Sequence, residues 1–435
     1  MKNLNLGQNL KKIRKDLNLK QQDIAGEDVT RNLISLMENN KTPIYHNVAN
    51  IISKNINAIL AKRGEDIYIQ AEDILNPERY ESRRIANKYV EKLKKHLEEK
   101  NYELKIEELN EIENFLNRWG FIDKKVKIYE LLGDIFYNAR DLNREYYYYI
   151  KALEVSYEYP NMKERYKLIL KLVYNCIITR KYHEAIRLCD FAITTQEDLT
   201  EKYKGIFHYN SALSYYYLGD FYKALDHIIY AKFYIAFDDY REMRRILMLE
   251  GVCNSEIKNF DGALRVFNKL LAIINENDIE EMCMSYTNIL RIFVDKNEKE
   301  KVIEYHNKIL EYLPKIDEHS DYFVQLLLSI AKTYKYLGNL NSYEEYLVRT
   351  LTLSCEIKEE NSFTHSMSLL LDFYMENEDY EKIENLLNKY ENNIINFHID
   401  EKFGITLKFI YSLINQDKNW EAKYLIKRLL KKEEI

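Results

Sequence analysis

A chain of 435 residues with only 11 glycines and 4 prolines has too few turn formers for a sheet-rich fold, and its long amphipathic runs predict an all-α protein. No apolar run reaches the ~18 residues of a membrane span, and the opening MKNLNLGQNLKKIRK lacks the apolar centre of a leader, so a cytoplasmic protein with no membrane partner is expected. The net charge of −6 hides an asymmetry: residues 1–64 hold 11 Lys and Arg against 5 Asp and Glu, a basic head suited to a polyanion on an otherwise acidic chain.

Leu6, Leu10, Ile13 and Leu17 predict a first helix with Lys11, Lys12, Arg14 and Lys15 on its outside, broken at Asn18. A short second helix is expected over residues 19–25, followed by the turn Gly26-Glu27-Asp28. A third begins at Thr30, whose hydroxyl suits an N-cap. Its apolar side is read as Val29, Leu33, Leu36 and Met37, with Thr30, Arg31, Asn32 and Ser35 opposite. Pro43 requires that helix to end before it. A fourth is expected over residues 45–60, with Val48, Ile51, Ile52, Ile56 and Ile59 inward.

Residues 6–60 resemble the lambda-repressor-like (Cro/C1, or XRE) helix-turn-helix domain at Leu6-Gly7, Leu10, Ile13-Arg14, Leu19, Gln21, Ile24-Ala25, Val29-Thr30, Ile34-Ser35, Met37-Glu38 and Pro43. The turn before Val29 is one residue shorter than is usual in that family. The resemblance implies that Thr30, Arg31, Asn32 and Ser35 meet the major groove of double-stranded DNA. Arg31 would pair with guanine and Asn32 with adenine, while Lys20, Gln21, Asn40 and Lys41 hold phosphates. Arg31 and Asn32 as merely solvated residues remain the alternative. A homodimer on a pseudo-palindromic operator is expected, and the DNA-binding domain with its connector is placed at 1–76.

From Tyr80 onward the chain repeats itself. NSALSYYYLGDFYKALDHIIYAKFYI, residues 210–235, resembles a tetratricopeptide unit, with Ala212 at the close helix approach, Gly219 and Phe221 in the turn, and Ala224 and Ala231 on the second helix. Weaker copies give the first-turn anchors Lys105, Glu145, Ala185, Ala224, Ala263, Val302, Tyr343, Ile383 and Ala422, spaced 39 to 41 residues apart. Residues 77–435 are therefore expected to form a right-handed TPR-like α-solenoid of about eight or nine helix pairs, its first helices lining a concave face. On that face Tyr174, Tyr209, Asn210, Tyr217, Arg245, Asn288, Arg291 and Lys332 are candidate peptide-binding residues. A side-chain amide at Asn210 or Asn288 can clamp a ligand's peptide unit, and Arg245, Arg291 or Lys332 can hold a carboxylate. Asn residues bridging repeats and aromatics used as core are the alternative.

A helix-turn-helix head joined to such an array resembles the RRNPP family of peptide-responsive regulators. That resemblance implies a transcriptional repressor controlled by a short signalling peptide; an interaction scaffold with weak DNA affinity is the competing expectation. Neither a phosphate-cradling loop nor H-E-x-x-H nor G-x-S-x-G occurs, and the 9 His include no metal-spaced pair, so no enzyme, metal or cofactor is expected. Cys176, Cys189, Cys253, Cys283 and Cys355 form no C-x-x-C pair and read as buried thiols.

Overall fold

The computed structural model describes residues 5–65, 67–159, 165–195, 199–236, 238–396 and 402–430, and the regular structure among them is all helical. Two compact units divide the chain, Met1–Asp239 and Tyr240–Ile435, and each is taken by itself. None of the described helices is long and apolar enough to cross a membrane.

The first unit opens with α1 (Leu6–Asp16), α2 (Gln21–Ala25), α3 (Arg31–Glu38), α4 (His46–Arg63) and α5 (Ala71–Leu75). Their inward sides share one core that includes Leu10, Ile13, Ile24, Ile34, Met37, Ile52, Ile56 and Ile74. The ends of these helices follow from local chemistry. Asn5 accepts from the Gln8 N–H at 3.0 Å, and Thr30 accepts from the Leu33 N–H at 3.2 Å. Asn18, at φ 51°, stops α1. α2 starts later than expected because the Asp23 carboxylate takes the Lys20 N–H at 2.7 Å and holds Lys20 in an extended cap.

The expected apolar side of α3 needs correction. Leu36 is 42% exposed and Leu33 only half-buried, whereas Ile34, Met37 and Glu38 turn inward. The inward set follows the crossing of α1 over the end of α3 at Gly7. A Cβ at Gly7 would lie 2.1 Å from the Met37 carbonyl oxygen, and the Gly7 N–H donates to Asn40 Oδ1 at 3.1 Å.

The first unit continues through α6 (Pro77–Glu98) and α7 (Ile106–Trp119) into three pairs: α8 (Ile122–Asn138) with α9 (Leu142–Ser156), α10 (Tyr166–Ile178) with α11 (Tyr182–Thr195), and α12 (Glu201–Tyr217) with α13 (Phe221–Tyr234). The second unit holds α14 (Tyr240–Glu256) with α15 (Phe260–Leu271), α16 (Ile279–Asp295) with α17 (Lys299–Tyr312), and α18 (Asp321–Leu337) with α19 (Leu340–Ile357). α20 (Glu360–Glu376) with α21 (Tyr380–Asn396) and α22 (Lys402–Asn415) with α23 (Asn419–Leu430) complete it. In each unit the members of a pair pack together and against the next pair, which is a TPR-like α-solenoid arrangement.

One device recurs at every pair from α8/α9 onward. The fourth residue of the second helix is Glu145, Ala185, Ala224, Ala263, Val302, Tyr343, Ile383 or Ala422, and none of these exceeds 2% exposure. Five residues before each stands a left-handed residue: Arg140, Arg180, Gly219, Lys258, Asn297, Gly338, Glu378 or Asp417, with φ between 56° and 84°. The next amide then reaches back to the first helix, as from Asp141 to the Phe136 carbonyl at 3.0 Å and from Glu298 to the Phe293 carbonyl at 2.9 Å. Glycine occupies the left-handed position only at Gly219 and Gly338, so the expected Gly-x-Phe/Tyr spelling is the minority form.

The Lys105 anchor is corrected as well. Lys105 is an exposed residue preceding α7, and the equivalent fourth position is the buried Leu109. Cys176, Cys189, Cys253 and Cys283 are buried as expected, and Cys355 is half-buried.

Replacing Gly7 by Ala forces a side chain against a backbone oxygen that cannot swing away. It should destabilise the five-helix part by about 1–3 kcal/mol, read as faster hydrogen exchange across residues 6–40 than in the parent chain.

Candidate nucleic-acid interface and its coupling to the array

Of the residues expected at DNA, Lys20, Thr30, Arg31, Asn32, Asn40 and Lys41 are exposed, and Gln21 and Ser35 half-buried. They lie at the start of α2, on α3 and in the loop that follows α3. What relates these segments is Glu38, 3% exposed. It accepts from Arg14 Nε at 2.5 Å, Arg14 Nη2 at 2.9 Å and Gln21 Nε2 at 2.8 Å. Burial alone would raise the Glu38 carboxyl, but the bonds from Arg14 and Gln21 outweigh it and hold the pKa below the usual carboxylate value. Gln21 thus has its amide committed to a strut between α2 and α3. Asn40, at φ 55°, has its carbonyl oxygen engaged by Gly7. No ion pair engages Lys20, Arg31 or Lys41 among the described residues, so their charges and the Asn32 amide face solvent. A cationic edge with a planar guanidinium and a carboxamide suits base edges and phosphates.

The five helices are joined to α6 and α8 by a desolvated ionic cluster. Asp73, with its side chain fully buried, pairs with both Arg79 and Arg83, the latter at 3.0 Å. Arg83 also reaches Asp123 at 2.9 Å. Arg79 Nε donates to the Trp119 carbonyl at 2.9 Å and its Nη2 to the Gly120 carbonyl at 3.1 Å. Both guanidinium groups lie over the Phe121 ring, 4.7 and 4.9 Å from its centre. From the other side Asn9 donates to the Asp73 and Ile74 carbonyls at 2.8 and 2.9 Å. Tyr80 donates to Asp16 at 3.1 Å, and Lys12 pairs with Glu81.

The candidate peptide-binding residues fall in both units. In the first, Tyr174 is 48% exposed with its ring 6.0 Å from that of Tyr137, and Tyr217 is 52% exposed and stacked on Tyr182 at 5.0 Å. Tyr209 is half-buried. Asn210 is 8% exposed and donates to the Ile206 carbonyl of its own helix at 2.9 Å. In the second unit, α14, α16, α18 and α20 pack in succession, whereas α15, α17 and α19 do not pack comparably on one another. Asn288 on α16 donates to the Met284 carbonyl at 3.0 Å and approaches Met248 Sδ of α14 at 3.6 Å. Arg245 pairs with Glu242 at 3.0 Å, and Arg291 pairs with Glu256. Lys332 is accessible to solvent, yet surrounding protein disfavours its charge and lowers its pKa.

Sequence reading missed the two ionic hubs. Arg14 and Glu38 stood in the helix-turn-helix pattern but not as partners, and Asp73, Arg79, Arg83 and Asp123 were given no role. The available hint was the spacing of Arg79 and Arg83, one helical turn apart just after the Asn76-Pro77 helix start.

In class, then, the described chain is an all-α protein built largely of TPR-like helix pairs. No protein-family model and no curated protein matches its sequence. Solved structures similar to it include the apo form of RapI, at 18% identity over 63% of this chain and 99% of that one, with a TM-score of 0.48. A signal transduction ATPase with numerous domains carrying a tetratricopeptide repeat sensor, from Pyrococcus horikoshii, is similar at 15% identity over 99% of this chain and 72% of that one, TM-score 0.48. Aspartyl phosphate phosphatase F from Bacillus subtilis is similar at 13% identity over 100% and 95%, TM-score 0.40. Likenesses of 13–18% identity carry no substrate or partner over to this chain. The last of them nevertheless corrects the expectation of a non-enzyme: a structure of similar helical build bears the name of a phosphatase.

Removing Asp73 from the buried cluster leaves Arg79 without a carboxylate and Arg83 with Asp123 alone. Asp73→Ala should cost about 3–5 kcal/mol in thermal or urea unfolding and open residues 67–83 to limited proteolysis. Unchanged stability and cleavage would show that the cluster does not hold the joint.

Proposed function

We propose that this chain is a sequence-specific DNA-binding regulator, acting as a repressor, whose output is set by a short peptide bound to its helix array. The observation that carries the reading is the exposed edge of Lys20, Thr30, Arg31, Asn32 and Lys41, whose cations enter no ion pair among the described residues, on a braced α2–α3 pair. In this reading residues 1–76 form the DNA-binding domain and 77–435 the peptide-binding and dimerising array. Two copies place their third helices in successive major grooves, about 34 Å apart on a pseudo-palindromic site. The order of parts resembles that of the RRNPP regulators, the clostridial sporulation and toxin regulator RstA among them. The candidate peptide-contacting residues are Tyr174, Tyr209, Asn210 and Tyr217 in the first unit and Arg245, Asn288, Arg291 and Lys332 in the second. Glu242 and Glu256 hold Arg245 and Arg291 until a ligand carboxylate competes for them.

A second reading is an interaction scaffold whose head adds only weak DNA affinity. It is favoured by the share of the described chain given to helix pairs, α8 to α23. DNA selection followed by binding measurements separates the two. On the selected site, Arg31→Ala or Asn32→Ala should each lose about 1–3 kcal/mol of discrimination. Lys20→Ala or Lys41→Ala should weaken all sequences alike and reduce the salt slope by about one. Equal affinity for selected and random DNA would leave the scaffold reading standing.

For the groove, calorimetry with a synthetic short-peptide library should find ligands whose affinity falls on C-terminal amidation. Lys332→Ala should remove that preference, worth about 1.5–3 kcal/mol for a charged hydrogen bond. A preference that survives in the variant takes Lys332 out of the site.

A further inference from the structure

α13 has two unlike sides. Ala224, Ile228 and Ala231 are at most 1% exposed and pack towards α12. The opposite side presents Tyr222 at 70%, Ile229 at 65%, Tyr230 at 54% and Phe233 at 78% exposure, with Asp226 also exposed between them. Tyr222, Asp226, Ile229 and Phe233 follow one another at intervals of four, three and four, the seam spacing of paired helices.

Three other second helices lack this feature, while α9 exposes Tyr147 and α23 exposes Trp420 at places equivalent to Asp226 and Tyr222. Counted from the anchor residue, the equivalent places hold His183, Arg187, Asp190 and Thr194 on α11, Asp261, Arg265, Asn268 and Ala272 on α15, and Glu300, Glu304, Asn307 and Glu311 on α17. Four large apolar side chains exposed together on one helix mark an interaction site, because apolar patches of this kind are normally covered.

Area and symmetry favour a second copy of this chain as the occupant. Three aromatics and an isoleucine at these exposures offer on the order of 500 Å² per copy. A self-paired face would bury roughly 1,000 Å², the lower end of specific association. Lys223 beside the strip pairs with Asp220 at 2.8 Å, so Asp226 is the single charge in the seam and an antiparallel partner sets it opposite an isoleucine. The seam is also symmetric about its midpoint. A two-fold axis there runs the helices antiparallel and sets Tyr222 against the partner's Phe233 at both ends, an aromatic pair in duplicate.

We infer that the outer face of α13 is the surface through which two copies of this chain associate. The inference rests on the homodimer in the proposed function and names where it forms. Sedimentation velocity of the full chain over a wide concentration range tests it. The parent chain should show a concentration-dependent dimer, and Ile229→Glu or Phe233→Glu should raise the dissociation constant at least ten-fold with helix content unchanged. Arg265→Glu, at an equivalent place on α15, should leave it unaltered. A dimer that persists in both glutamate variants overturns this surface while leaving the two-headed reading intact. A parent chain monomeric throughout overturns both the surface and the two-headed reading, whereas DNA affinity of the single chain, measured separately, would survive.

Discussion

Asp73 is the residue on which the described arrangement of the first unit turns. Its carboxylate has no access to water and meets two guanidinium groups, which extend in turn to Asp123 and to the carbonyls of Trp119 and Gly120. Such a cluster is stable only while complete, since each charge is desolvated and relies on its neighbours. Its members come from α5, α6 and the start of α8, so the path between the DNA-reading candidate and the helix pairs is a braced joint. The stretch that looked like a connector in sequence is part of a core.

This bears on how a bound ligand could act. A ligand shifts an equilibrium only by its differential affinity for two states, and a slack tether would dissipate any displacement before it reached α3. Here α6 and α8 hold α5 through Asp73, α5 holds α1 through Asn9, and α1 holds α3 through Arg14 and Glu38. Each step is a short polar contact in a poorly solvated place, where misalignment by an ångström forfeits most of the bond. Asn9, Asp73, Arg83, Arg14 and Glu38 thus tie α6 and α8 to α3 through a continuous series of polar contacts.

The fold was legible to the extent that packing repeats itself in one-letter code. Ala185, Ala224, Ala263 and Ala422 are small because two helices meet there, so their spacing exposed the array before any coordinates did. Lys105 misled because periodic counting extended the beat to a helix whose start had slipped, leaving Leu109 in the buried place. The turns were harder. A left-handed residue is demanded at each, yet Arg, Lys, Asn, Glu and Asp fill six of the eight positions. The backbone bond that closes each turn offsets the modest cost of a side chain there, so glycine is optional and the turn leaves little trace in the sequence.

The candidate site divides along the same physical line. Helix periodicity and capping placed Thr30, Arg31 and Asn32 outward, because a cap and a polar first turn are local properties. On the side of α3 that faces the core, Val29 and Met37 are buried as expected, but Ile34 lies inward where Leu36 was placed; the two are similarly apolar, and the close crossing at Gly7 is not visible in the sequence. Buried charge is the least legible feature of all. Arg79 and Arg83 look like any basic pair on a solvated helix until Asp73 and Asp123, distant in sequence, are seen to enclose them. The same limit applies to α13: its aromatic residues could each have been core, and only the finding that Ala224, Ile228 and Ala231 already satisfy α12 leaves Tyr222, Ile229 and Phe233 without an intramolecular reason to be apolar.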